Sequence, residues 1–145
     1  MPPFESNHVK AEYDLLAPDG SEIRLLHSLS GASVVHCALP VGAVSIPVRH
    51  RTVEEVWFFL AGEGQVWRKQ GENEQVLDAR RGLSLTIPLG TQFQFRNTGD
   101  VPLEFLITTT PPWPGEDEAV VLEVESRLAK PHHPQIWLGA KTESR

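Results

Sequence analysis

The chain has 145 residues, with 13 Lys and Arg against 19 Asp and Glu, a formal net charge of −6 at pH 7. That length suits one domain with a sizeable core, and the acidic balance speaks against a nucleic-acid partner, which favours a basic face. Cys37 is the single cysteine, so no intrachain disulfide can form and a reducing cytoplasm is the expected home.

The N-terminal MPPFESNHVK has no apolar core of the signal-peptide kind, and the longest apolar run, Val56 to Ala61, is too short to cross a membrane. Turn chemistry then recurs at short intervals, from Pro18-Asp19-Gly20 through Ser30-Gly31, Pro40-Val41-Gly42, Gly62-Glu63-Gly64, Gln70-Gly71-Glu72 and Arg81-Gly82 to Gly99-Asp100. Between the turns lie runs rich in β-branched and aromatic residues, predicting strands over 22–26, 33–39, 56–60, 65–69, 75–77, 83–87, 92–96 and 103–109. Phe93 and Phe95 fall on one face of their strand and Gln92, Gln94 and Arg96 on the other. Strands this short and this regularly spaced point to an all-β sandwich or barrel. Residues 118–127 suit either a short helix or a strand, and Pro111-Pro112-Trp113-Pro114-Gly115 is a rigid loop, since proline fixes φ and removes a donor. The expected organisation is one barrel domain over 1–128 followed by an irregular arm over 129–145.

Two stretches carry the chemistry. The first, residues 42–62, spaces Gly42, His50, Glu55 and Gly62; the second, residues 82–97, spaces Gly82, Pro88, Gly90 and Asn97. This pair of motifs resembles the metal-binding signature of the cupin superfamily, whose members are antiparallel jelly-roll barrels that hold a metal with three His and one Glu. The glycines, the proline and the asparagine match, as do the second His (His50) and the Glu (Glu55). The first His position is Val48 and the last is Phe93, neither of which has a donor atom. The resemblance therefore implies a small single-domain cupin with a half-dismantled metal site, and with the pairing into homodimers that cupins commonly show.

Residues two apart on a strand face the same way, so the expected cup is lined by Val48, His50, Glu55, Trp57, Phe59, Phe93 and Phe95. Glu54 is then a surface charge. A catalytic metal takes three protein ligands or more, and His50 with Glu55 supplies two. His36, on the strand before the first motif, is one place to look for another. The expected cofactor state is no metal. Trp113 either packs on the barrel flank or covers the cup mouth, and His36 and Trp113 join the cup residues as candidate ligand contacts. Cys37, in an apolar stretch, reads as buried filler. The expected function is small-molecule binding in an apolar cup. His50 and Glu55 are the candidate catalytic pair of a metal-independent isomerase, epimerase or lyase. The alternatives are a non-catalytic sensor and a metal-dependent enzyme such as a dioxygenase, completed by a non-standard ligand. No nucleic-acid or membrane partner is expected.

Overall fold

A computed structural model describes residues 1–123, 126–128 and 136–137. Its strands in chain order are β1 (Leu15–Leu16), β2 (Glu22–Ser28), β3 (Ser33–Leu39), β4 (Ala43–Val44), β5 (Val48–His50), β6 (Glu54–Ala61), β7 (Glu63–Gln70), β8 (Asn73–Arg80), β9 (Ser84–Ile87), β10 (Gln92–Asn97), β11 (Leu103–Thr110), β12 (Ala119–Val121) and β13 (Ile136–Trp137), with one 3-10 turn at Glu116–Glu118. The eight strands expected from composition and turn spacing are all present, extended by one to three residues at some ends and, for 83–87, shorter by Leu83. β1 and β4 are too short to announce themselves in the sequence, whereas β5 is the extended segment expected to carry Val48 and His50. Within 118–127 the strand reading prevails at β12, which pairs with β5 through Ala119↔His50 and Val121↔Val48. The edge of β5 supplies the unpaired backbone groups that draw this segment into the sheet. No helix among the described residues is long and apolar enough to cross a membrane.

Two sheets face each other in a jelly roll. The first runs β1-β2-β3-β11-β6-β9; in the second, β10 lies between β7, which continues to β8, and the successive short strands β4 and β5. Strict alternation builds the interior. Along β6 and β11 buried and less buried residues alternate, and Phe105 lies across from both Cys37 and Phe59. That register puts Trp57, Phe59 and Phe105 on the inner layer. Trp57 meets Phe93 and Phe95 edge-on, each with centroids 5.4 Å apart, and lies tilted on Phe105 at 4.7 Å. Offset and edge-to-face contacts of this kind satisfy the ring quadrupoles as well as the hydrophobic effect.

The motif positions that are not ligands are explained by the scaffold. Gly62 sits at φ +85°, and a Cβ there would lie 2.4 Å from the Pro102 carbonyl oxygen, so only glycine lets the β6–β7 turn pass that backbone. Asn97 donates to the carbonyls of Leu39 (3.0 Å) and Val101 (2.8 Å) and accepts from the Gly99 amide (2.8 Å), closing the β10–β11 turn. Pro88 lends its carbonyl to the Thr91 amide in the turn between β9 and β10. On the outer face of the second sheet, buried Gln94 donates to the Ser45 carbonyl and accepts from the Arg127 amide, while the Arg127 guanidinium lies over Trp67 at 5.7 Å. The expected arm over 129–145 lies outside the described residues except for β13, whose backbone pairs in parallel with β4.

Candidate functional site

Both motifs feed both sheets: β4 and β5 from the first motif and β10 from the second lie in the second sheet, β6 and β9 in the first. The cup opens between them as a cavity of about 790 Å³, within the usual range for small-molecule sites. Of the expected lining, Val48, His50, Glu55, Trp57, Phe93 and Trp113 border this cavity. Phe59 and Phe95 do not; both are fully buried against Trp57 and Phe105, in the packed core behind the cup. His36 is outside altogether. Its neighbour Cys37 points inward, so His36 faces the outer side of the first sheet, where its Nε2 lies 2.9 Å from Glu104 Oε1. It cannot complete a metal site in the cup.

His50 is 6% exposed and lies edge-on to two rings, Phe93 and Trp113, each with centroids 5.2 Å away. Its buried Nδ1 has no hydrogen-bond partner among the described residues. Burial holds the imidazole at about 4 instead of its ordinary 6.5, against a smaller opposite pull from Glu118. The ring is therefore neutral at physiological pH. Glu55, also 6% exposed, accepts from Trp57 Nε1 at 2.9 Å and from Thr109 Oγ1 at 2.9 Å. Burial pushes its carboxyl up to about 7; those two hydrogen bonds pull the other way, and Asp19 and Glu118 add further upward pressure. The expected pair does not share a direct hydrogen bond: His50 Nδ1 and Glu55 Oε2 are 4.0 Å apart. Glu55 has spent its oxygens on Trp57 and Thr109 instead.

The Pro-Trp-Pro loop closes over His50. The Trp113 amide donates to Ser33 Oγ (3.2 Å), Arg51 Nε donates to the Asp117 carbonyl (2.8 Å), and the Arg51 amide donates to the Glu118 carbonyl (2.9 Å). The Glu118 carboxylate accepts from the amides of Thr52 (2.6 Å) and Val53 (2.9 Å) and from Thr52 Oγ1 (2.7 Å). Burial alone would raise Glu118, but these hydrogen bonds outweigh it and hold the carboxyl low. Of the two readings of Trp113, the structure supports cover of the cup. Glu118 and Thr109 carried no signal in the sequence that set them apart.

One cup residue was hidden in plain turn chemistry. Asp19, in the Pro18-Asp19-Gly20 turn, is buried and lines the cavity. Its Oδ1 accepts from the Ser21 amide (3.0 Å) and Ser21 Oγ (2.7 Å). Burial raises its carboxyl, with the Ser21 hydrogen bonds partly offsetting. An Asp-Gly turn ordinarily faces water; only the fold turns this one inward.

The donor set does not fit a four-ligand metal centre. Val48 and Phe93, paired directly across β5 and β10, present hydrocarbon where the cupin signature has imidazoles, and no group of three or more His, Cys, Asp or Glu among the described residues is placed to hold a metal ion.

Comparison with known proteins agrees with this architecture. The cupin-domain family matches residues 35–109. The uncharacterized protein MJ1618 of Methanocaldococcus jannaschii is 34% identical over 122 residues, covering 78% of this chain and 94% of that one. The xanthan biosynthesis protein XanB of Xanthomonas campestris is 31% identical over 84 residues, 58% of this chain but 17% of that protein. Among solved structures, the formate complex of Lactobacillus farciminis oxalate decarboxylase superposes with a TM-score of 0.64 at 19% identity, covering 79% of this chain and 33% of that one; at that identity the likeness is one of fold. With the motif scaffold in place, two facing sheets around one cup, and a family match over half its length, the chain belongs to the cupin family.

Proposed function

We propose that this cupin binds a small organic molecule in its cup and performs acid–base chemistry on it without a metal, in the manner of an isomerase, epimerase or lyase. The observation that carries this reading is the pairing in one cavity, from facing sheets and 4.0 Å apart, of a neutral imidazole with a carboxyl held near 7. General acid–base catalysis is most effective when the group's pKa lies near the working pH. Glu55 meets that condition, and His50 offers a neutral base beside it. The rings of Trp57, Phe93 and Trp113 supply the apolar contact that holds a ligand against the pair.

The test begins with a metabolite screen by thermal shift, because a ligand that binds only the native state raises the melting temperature. A hit is then incubated with the protein in D₂O, and deuterium incorporation into its C–H positions is followed by mass spectrometry. The expected result is exchange by the parent chain and none by Glu55→Gln. A hit that binds without exchange in either protein points to the non-catalytic binder instead, and a screen with no hit sinks both readings.

A homodimer is also proposed. The outer face of the first sheet leaves Val56 51% and Phe58 46% exposed, with Leu106 beside Phe58 in register. Exposed apolar side chains grouped on one sheet face are the usual mark of an interface. Sedimentation at micromolar concentration is expected to give twice the 16.1 kDa chain mass; a purely monomeric boundary would count against it. A cytoplasmic home is proposed on the single buried Cys37.

A further inference from the structure

The charges around the cup restrict what it can hold. Three carboxyls border the cavity, Asp19, Glu55 and the exposed Glu5, and its basic side chains are His27 and His50; among the described residues, no Lys or Arg lines it. An anion entering this space would lose its hydration beside Asp19 and Glu55 with no fixed positive charge to receive it, which is strongly unfavourable. A cation meets the reverse situation.

Resting on the reading of the cup as a small-molecule site, we propose that its ligand is an organic amine: a primary ammonium group carried on a compact apolar or aromatic skeleton. An ammonium has three donors and no acceptor. The cavity it would enter carries acceptors from three elements: the carboxylates of Glu55 on β6 and Asp19 in the turn before β2, and the neutral imidazole of His50 on β5. His50 is itself 94% buried in the sense that only 6% of its surface is exposed, and it keeps an unpartnered ring nitrogen. The rings of Trp57, Phe93 and Trp113 border the same cavity and suit a cation's attraction to aromatic faces. Leu15, Leu16 and Leu25, which are 43%, 46% and 54% exposed at the cavity, offer surface for the skeleton.

Amine binding carries a proton signature. The groups facing Glu55 are Trp57 on its own strand, His50 from β5, Asp19 from the turn before β2, Thr109 from β11 and Glu118 from the covering loop, with buried Cys37 on β3. None is cationic at neutral pH, so the ligand supplies the positive charge. A bound ammonium favours the Glu55 carboxylate over the acid, and binding near pH 6.5 releases a proton to the buffer. An anion would instead draw one in.

The experiment uses the full chain and three probes of one skeleton: benzylamine, benzyl alcohol and benzoate, each at millimolar concentration and pH 6.5. Thermal shift ranks them, and calorimetry in two buffers of different ionisation enthalpy reads the proton. The expected result is a rise in melting temperature with benzylamine, none with benzoate, and proton release on benzylamine binding. Glu55→Gln and Asp19→Asn should each weaken benzylamine roughly tenfold or more while changing benzyl alcohol little, as for a lost hydrogen bond to a charged group. Glu55→Gln is near-isosteric, so it remains informative if Asp19→Asn folds poorly. Equal binding of the alcohol, or tighter binding of benzoate, overturns the amine while leaving the cup a small-molecule site. Benzylamine binding indifferent to both substitutions overturns it too. No response to any of the three also overturns it, and only a silent metabolite screen as well would remove the small-molecule site itself.

Discussion

Replacing Val48 and Phe93 together with His is expected to convert the cup into a metal centre. The double variant should bind one equivalent of manganese, iron, nickel or zinc and melt higher when metal is added. The parent chain, purified without chelator or added metal, should carry well under one equivalent. Position 93 lies directly across from 48 in the β5–β10 pairing, His50 is two residues along the same face, and the Phe93 ring centroid is already 5.2 Å from that of His50. Glu55 completes the set from β6 across the cup. The metal-free variant should be less stable than the parent, because Val48 is fully buried and a larger polar ring in its place costs about 1–3 kcal/mol in overpacking. Metal at a hundredfold excess over its Kd returns about 2.7 kcal/mol, since it binds the native state alone. Elemental analysis after dialysis and melting curves with and without metal decide the matter. A folded double variant with no gain in metal would mean that the backbone has lost the ligand geometry, and stoichiometric metal in the parent would overturn the metal-free reading outright.

The second large effect is a reversal of the pH dependence of stability. Glu55 has a folded pKa of about 7 against an ordinary 4.5, so between those values the folded chain holds a proton that the unfolded chain has lost. Stability from this group is present below pH 4.5 and declines as pH rises to 7. His50 behaves oppositely: at about 4 against 6.5, the unfolded chain binds the proton first, so its contribution grows as pH rises from 4 to 6.5. One proton is worth about 1.4 kcal/mol per pH unit, and from 4.5 to 6.5 the two slopes oppose each other. Glu55→Gln should unmask the rising limb and His50→Gln the falling one, each spanning roughly 3 kcal/mol across its window.

Urea unfolding at half-unit pH steps measures this directly. Above pH 7, Glu55→Gln should be more stable than the parent, because it removes the cost of burying a charge and loses only part of the acceptor capacity now shared by Trp57 and Thr109, about 1 kcal/mol. A functional polar group held at some expense of stability behaves in this way. A loss of about 3–5 kcal/mol on breaking the pair would mark it instead as a structural ion pair, and unchanged slopes in both variants would contradict the protonation states assigned above.

The sequence by itself determined the barrel and the inner wall of its cup. Period-two alternation needs no tertiary information, since side chains on a strand point alternately to its two faces; it put Glu54 and Glu55 on opposite faces, and the motif spacing to Gly62 chose Glu55, with Trp57, as the inward side. The glycines, Pro88 and Asn97 were legible through the motif resemblance, and the structure gives the reason at two of them: Gly62 passes a backbone that leaves no room for a Cβ, and the Asn97 side chain closes its turn. Parity, however, is relative to a neighbouring strand, and register is a tertiary property. Cys37 lies opposite Phe105, which sends His36 to the outer face. Depth along the cup is equally hidden: Phe59 and Phe95 share a face with Trp57 and Phe93, yet sit in the core behind them. Asp19, Thr109, Trp113 and Glu118 reach the cup or its cover from turns and strands remote in sequence from His50 and Glu55. Only chain closure brings them together, because burial and the electrostatic shifts it causes depend on which distant segments exclude water from the same space.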